Sequence, residues 1–194
     1  MSDPSLPDLK ARLRGEALSR RDALEPVWRA EASLAAAERV LSLPELHGLD
    51  PVSGFWPIRS EIDVKPLLAA LHARGRRIGL PVLAKPHMIF RLWAPGDDLV
   101  ARGFGLSEPG PEAEEVLPRA MIVPLAAFDR RGGRIGYGKG HFDTAIAAIE
   151  RRHPVLTIGV AFSVQEVASV PLEPHDRLID MIVTECELIR ASTS

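Results

Sequence analysis

The chain has 194 residues, enough for one domain with a sizeable core. Its 24 lysines and arginines against 26 acidic residues leave a formal charge of −2, which excludes the basic signature of bulk nucleic-acid binding. No apolar run is long enough to span a bilayer, the acidic opening Met1-Ser-Asp3 is unlike a secretory leader, and the lone Cys186 excludes an intramolecular disulfide. A cytoplasmic protein without a membrane or nucleic-acid partner is the expectation. Cys186 lies in an apolar stretch and reads as a buried structural residue.

Ser5-Leu-Pro-Asp8 has the form of a helix start, a capping oxygen with a carboxylate three residues on. Leu6, Leu9, Leu13 and Ala17 then share one face of the predicted helix. Lys10 and Arg14, four apart, project together beside that face, and on spacing alone they form a solvated basic edge; Arg12 is assigned to water. Val27, Leu34, Ala37 and Leu41 mark a second helix ending near Leu43-Pro44. Leu49 to Trp56 reads as a loop entering a short buried strand, with Trp56 at its end. Pro57 to Ser60 turn the chain, and Glu61 follows where an acidic residue is ordinarily solvated or capping. Val64, Leu67, Leu68 and Leu71 predict a third helix, closed by Arg74-Gly-Arg-Arg77. Ile78 to Leu83 and His87 to Trp93 read as strands, with Met88 and Trp93 placed in the core. Pro95 to Asp98 form a turn, and Phe104 to Pro118 a long aperiodic loop of the kind that makes lids or substrate walls.

Met121 to Asp143 carries the most chemistry. Met121 to Phe128 is an apolar run suited to a strand buried on both faces, although Pro124 lacks the donor that a regular central ladder needs. Asp129 to Gly133 is a turn in which Gly132 and Gly133 accept positive φ. Gly136-Tyr-Gly-Lys-Gly140 follows, and Phe142, Ile146 and Ile149 then recur at helical spacing. A glycine-rich loop opening a helix offers free N–H groups to an anion; Arg134 and Lys139 add cations, and Asp143 adds a hard oxygen suited to magnesium. The alternative is a glycine-rich surface turn that binds nothing. A P-loop fails because Gly140 stands where a hydroxyl is required, and the dinucleotide fingerprint fails at His141.

Beyond it, Val155 to Phe162 is a buried strand, Ser163 to Val170 a short helix or turn, and Leu178 to Val183 the last strand. None of the six histidines has zinc spacing, and His175 has no spaced metal partner. Strands alternating with helical segments predict an α/β domain with a largely parallel sheet covered on both faces.

Phe128-Asp-Arg-Arg-Gly132 followed by Arg134-Ile-Gly-Tyr-Gly-Lys-Gly-His-Phe-Asp143 resembles the signature of the 5-formyltetrahydrofolate cyclo-ligase family, FD-x-x-G-x-R-[LI]-G-x-G-x-G-[YF]-YD. His141 and Phe142 replace the usual tyrosines, and Thr144 stands where the family often has arginine. The resemblance runs from about Leu9 to Glu185 and implies a single three-layer domain over residues 1–194, with the fold of ribose-5-phosphate isomerase and CoA-transferase-like proteins. It implies use of ATP and Mg²⁺ to convert 5-formyltetrahydrofolate into 5,10-methenyltetrahydrofolate; the sequence does not specify the oligomeric state, for which a monomer is favoured. Lys10 and Arg14 match the family's Lys-x-x-x-Arg pair for ATP phosphates and, with Arg134 and Lys139, are the implied catalytic cations. The nucleotide would also meet Ile135, Gly136, Tyr137, Gly138, Gly140, His141 and Phe142. Glu61 would read the pterin ring beside Trp56, with Tyr137, Gly138, Lys139 and Gly140 facing the substrate. Asp143 and Asp176, the latter in the motif V-P-x-x-x-x-D-x-x-x-D that ends at Asp180, would hold magnesium. A non-catalytic folate- or nucleotide-binding protein, or a sugar-phosphate isomerase or CoA-transferase of the same fold class, is the alternative.

Overall fold

The computed structural model describes residues 5–84 and 87–191; the opening Met1-Ser-Asp3 lies outside them. Ser5 caps α1 (Leu6–Asp22), its Oγ accepting from the Asp8 amide at 3.4 Å, as the sequence predicts. α2 (Pro26–Leu41) starts on a proline, which suits a first-turn position because the N–H there has no helical partner. β1 (Val52–Ser53), α3 (Lys65–Ala73), β2 (Ile78–Ala84), β3 (His87–Trp93), β4 (Leu99–Ala101), β5 (Ser107–Pro109) and β6 (Glu115–Val116) follow. The second half carries β7 (Ala120–Pro124), β8 (Ala127–Phe128), β9 (Arg134–Ile135), α4 (His141–Glu150), β10 (Leu156–Val160), β11 (Met181–Val183) and β12 (Leu188–Arg190).

Eight strands form the main sheet in the order β12-β11-β10-β7-β1-β2-β3-β6. The run from β11 to β2 is parallel, and antiparallel pairings finish both edges. The two-residue period of β7 divides its side chains between layers. Ala120 and Ile122 join the cluster containing the buried residues of α2 and α3, whereas Met121 and Val123 join Ile146 and Ile149 of α4 on the other face. The fold is therefore α/β with helices on both faces of a mostly parallel sheet, as expected.

Several expectations change in the fold. The apolar run from Met121 does not continue as one strand: β7 ends at Pro124, and β8 turns away to pair antiparallel with β9. Gln165 donates to the carbonyls of Leu125 (2.7 Å) and Ala126 (3.1 Å), satisfying acceptors at the break. Of the two turn glycines only Gly132 has positive φ (86°); a side chain on Gly133 would instead meet Val170. In α2, Val27 (72% exposed) and Leu34 (51%) face outward, while Ala32, Ala36, Ala37 and Val40 are buried. Small side chains let α2 approach closely, so its core face is marked by alanine rather than by bulk. Leu6, the first residue of α1, is also exposed, and Ala17 makes the buried contact of that helix. The stretch Phe104 to Pro118 is not a structureless loop, since it contributes β5 and β6. Leu188–Arg190 adds an edge strand that was not anticipated, and Cys186 lies exposed in the turn before it rather than in the core. Met88 and Trp93 are core residues as expected.

Candidate active site

The site forms where α1, the β9–α4 loop and the segment before β11 meet. Ala17 of α1 packs with Ala127, Ile135 and Val170, which docks the helix against the β8–β9 hairpin and aims its basic edge at the glycine-rich loop. Asp129 anchors the hairpin from within. Its carboxylate is 1% exposed and accepts from the amides of Arg131 (3.0 Å), Gly133 (3.0 Å) and Val170 (2.8 Å) and from Arg131 Nη2 (2.8 Å). Burial alone would raise its pKa, but these donors outweigh burial and hold it below the usual carboxylate range.

After the hairpin, Gly138 (φ 88°) and Gly140 (φ 63°) take left-handed conformations, and Gly140 caps α4. L-residues resist that region, so the loop needs glycine at both positions. The basic pair on α1 divides. Arg14 donates from Nε to the Gly136 carbonyl at 2.7 Å, and its guanidinium lies against Gly138. Lys10 reaches the other wall, pairing with Glu173 at 2.7 Å and Asp176 at 2.5 Å. Burial opposes the ammonium, yet the two carboxylates raise its pKa overall, and Lys10 in turn helps hold Asp176 low against burial. Arg134 is buried and donates from Nη2 to Asp143 Oδ1 at 2.7 Å, while its Nε is buried without a partner. Burial pushes the guanidinium's pKa down; Asp143 and Asp176 counter it.

A cavity of about 620 Å³ opens here, lined by Gly138, Lys139, Gly140, Asp143, Thr144, Ala147, Arg151, Pro174, His175 and Arg177. Lys139 makes no ion pair among the described residues, and Asp143 is the cavity's only carboxylate among them, already turned to Arg134. Such a wall favours an anion. Arg151 and Arg177 were not anticipated. Thr144, Ala147 and Arg151 lie three and seven residues apart, one helical face that spacing alone could have found. Arg177 arrives from the segment before β11, so only the tertiary fold brings it. Of the loop residues named from sequence, Ile135 points into the core and Phe142 packs partly against it, while His141 is exposed at the start of α4.

The two metal candidates each have one oxygen engaged. Asp143 Oδ1 accepts from Arg134 and from the Arg177 amide (3.2 Å), and Asp176 Oδ2 from Lys10 and the Glu173 amide (2.8 Å). His175, without a spaced partner in sequence, has two in space: ligand atoms of Glu173, His175 and Asp176 lie within 4.8 Å of one another. Asp180 is structural, its Oδ2 accepting from the Thr157 amide (2.8 Å) and hydroxyl (2.7 Å).

Glu61 lies on the other side of the loop. Its Oε2 accepts from the Ile58 amide at 2.9 Å. Burial raises its pKa, opposed by that amide, by Arg21, by the nearby Tyr137 hydroxyl and by Arg59. Sequence reasoning missed Arg21, which is 1% exposed and donates to Ser60 Oγ (2.9 Å) and Tyr137 Oη (3.0 Å). Trp56 stands edge-on to Trp93 with ring centroids 5.6 Å apart and Lys65 over its face, a partly buried wall of the main core.

Residues 8–185 match the model of the 5-formyltetrahydrofolate cyclo-ligase family. The chain is 31% identical to a 5-formyltetrahydrofolate cyclo-ligase of Escherichia coli K12, covering 85% of this chain and 94% of that one. It is 32% identical to the Mycolicibacterium smegmatis protein of the same name, over 92% and 94% of the two chains. The solved 5,10-methenyltetrahydrofolate synthetase of Aquifex aeolicus superposes with a TM-score of 0.81 at 30% identity, covering 96% of this chain and 94% of that one. The family match spans most of the chain and these relatives align along nearly their whole length, so this chain belongs to the 5-formyltetrahydrofolate cyclo-ligase family.

Proposed function

We propose that this protein is an ATP- and magnesium-dependent ligase that closes 5-formyltetrahydrofolate to 5,10-methenyltetrahydrofolate, releasing ADP and phosphate. One observation carries the assignment of sites: the loop whose glycines line the cationic cavity also carries Tyr137, which Arg21 ties to Ser60, the residue before half-buried Glu61. A single loop thus faces both an anion site and a carboxylate. The ionised carboxylate suits the paired N–H donors of the pterin's amino-pyrimidinone edge.

Chemistry follows from that arrangement. The oxygen of an N-formyl group is a poor leaving group. Its attack on the γ-phosphorus breaks the bond to ADP and leaves a phosphate ester at the formyl carbon. The second nitrogen of the folate then adds to that carbon and gives up its proton to solvent, and phosphate departs with the oxygen. Lys139, Arg14 and Arg134, with Lys10 released from its carboxylates, neutralise phosphate oxygens; the loop amides cradle them, and the work is chiefly positioning and charge neutralisation. Asp143 and Asp176 fit magnesium, which takes few protein ligands and completes its shell with water and phosphate. Bound there, the ion would neutralise charge on the terminal phosphates. The proposal extends to a single domain acting as a monomer in the cytoplasm; among the described residues no helix is long and apolar enough to cross a membrane.

Incubation with MgATP and 5-formyltetrahydrofolate should produce the methenyl absorbance with one ADP per product. Binding of both ligands with no absorbance change would leave a binding protein in its place.

A further inference from the structure

Arg21 has no part in the mechanism above, yet among the described residues it is the largest fully buried side chain. A guanidinium is charged at every physiological pH, and burying it is costly unless its donors are satisfied. Its closest hydrogen-bond acceptors are neutral: Nε donates to the Ser60 hydroxyl and Nη1 to the Tyr137 hydroxyl. The nearest carboxylate is Asp22 at 3.5 Å, on the exposed rim. The charge is therefore placed at a seam, between the turn that carries Glu61 and the loop that carries the glycines.

Donor chemistry gives this seam a direction. Arginine has no acceptor, so the Tyr137 oxygen must receive its bond and turns its own proton outward. That leaves the proton free to turn toward the Glu61 carboxylate, which the phenol lies near enough to stabilise in its ionised form; Arg21 also holds Ser60, the residue before Glu61. Arg21 thus ties the phenol of the loop to the turn of Glu61, through Tyr137 on one side and Ser60 on the other. Tyr137 is also fixed from the nucleotide side, because its neighbour Gly136 is held through its carbonyl by Arg14 and its neighbour Gly138 lines the cationic cavity. Displacing the loop displaces the phenol that lies beside Glu61.

Taking the loop as the nucleotide site and Glu61 as the pterin site, as proposed above, we infer that Arg21 is a positioning residue that couples the two: through Tyr137, nucleotide on the loop sets the affinity of Glu61 for folate. The sign is positive. A phosphate that fixes the loop fixes the phenol, and the phenol favours the ionised carboxylate that pairs with the pterin edge. Linkage makes the effect reciprocal, so folate tightens nucleotide by the same factor.

The test is calorimetry of 5-formyltetrahydrofolate with and without a non-hydrolysable MgATP analogue. Wild type should bind folate about 5- to 100-fold more tightly with the analogue present, the usual range for coupled sites. Arg21→Met and Tyr137→Phe should each reduce that enhancement to within about twofold of unity, and the double variant should lose nothing more, because both cut one tie. Arg21→Lys, which keeps the charge but cannot fork to Ser60 and Tyr137 together, should recover part of it. A second readout separates positioning from mere stability. The groups facing Glu61 are Arg21 from α1, Arg59 from its own turn and Tyr137 from the loop. Removing Arg21 or the phenol should move the acid limb of folate affinity to higher pH, whereas Arg130→Ala, which cuts only outward pairs to Glu166 and Glu187, should leave that limb in place. Should Arg21→Met fail to fold, Tyr137→Phe decides alone, since it removes only a hydroxyl from a partly exposed ring. A lowered melting temperature with the nucleotide enhancement and acid limb unchanged would overturn the inference. A wild type that turns over but whose folate affinity ignores the analogue overturns it alone; a wild type that binds neither ligand overturns the functional reading with it.

Discussion

The two halves of the signature segment use similar residues for opposite ends. In Phe128–Gly133 the charged groups are spent on the fold. Asp129 is buried, and its oxygens are taken by three amides and a guanidinium. Arg130 faces outward to Glu166 and Glu187. In Gly136–Asp143 the groups are left available: the loop is mostly exposed, Lys139 has no ion pair among the described residues, and the cavity wall beside it is cationic. A carboxylate whose lone pairs are filled from within holds structure, and a cation facing a cavity without a partner awaits a ligand. Asp143 stands between the two cases, tied to buried Arg134 yet lining the cavity.

The contrast can be broken first at Asp129. Asp129→Ala strands the buried amides of Gly133 and Val170, so unfolding free energy should fall by about 3 kcal/mol or more, since each buried donor left unpaired costs about 1–3 kcal/mol. Denaturant titration measures this, and an unchanged midpoint would end the scaffold reading of the hairpin. The carboxyl's lowered pKa fixes the sign with pH. Its contribution is complete above the ordinary aspartate range and is lost as pH falls through its lowered folded value.

Asp143→Asn should cut turnover by about 100-fold, the scale of losing one charge-stabilising group, and raise the magnesium concentration needed for half-maximal rate. Because it also weakens the partner of a buried guanidinium, some loss of melting temperature should accompany it. Asp176→Asn should act in the same direction less severely. Magnesium titration at fixed ATP checks both, and unaltered dependence with full product formation would reduce Asp143 to a partner of Arg134.

Lys139→Ala belongs wholly to the ligand half. ATP use should weaken by about 1.5–3 kcal/mol, the scale of a charge-assisted hydrogen bond. Stability and folate binding without nucleotide should stay as they are. Unaltered steady-state constants for ATP would make Lys139 a solvated loop residue.

Glu61 gives the smallest and most specific effect. Burial raises its pKa, so the ionised form that pairs with pterin donors appears only above the ordinary glutamate range. Folate affinity should rise with pH through that raised value, while folding stability falls slightly across the same window, because the folded state holds its proton longer. Glu61→Gln should lower folate affinity and flatten its pH dependence, with ATP affinity preserved. Identical folate affinity profiles for the two proteins would remove Glu61 from the site.

By itself the sequence determined what local rules decide. Alternating periods of hydrophobic residues specified helices and strands, Ser5 specified a cap, and Gly138 and Gly140 specified a loop that other residues cannot adopt. Backbone sterics and capping act within a few residues, so they are readable from neighbours. The resemblance in Phe128–Asp143 was likewise a local pattern, long enough to indicate the family. The tertiary structure alone decided which charges are spent and which are free. Asp129 and Asp143 are equivalent letters in a signature, but only the approach of Val170 and Arg134 separates their roles. Lys10 and Arg14 share a helix edge, yet Asp176, 166 residues away from Lys10, draws them to different walls. Arg21 gave no signal at all, because a buried cation is defined by what surrounds it, and Ser60 and Tyr137 come from two distant turns. Burial and electrostatics depend on neighbours in space, and those neighbours exist only once the sheet has brought the segments together.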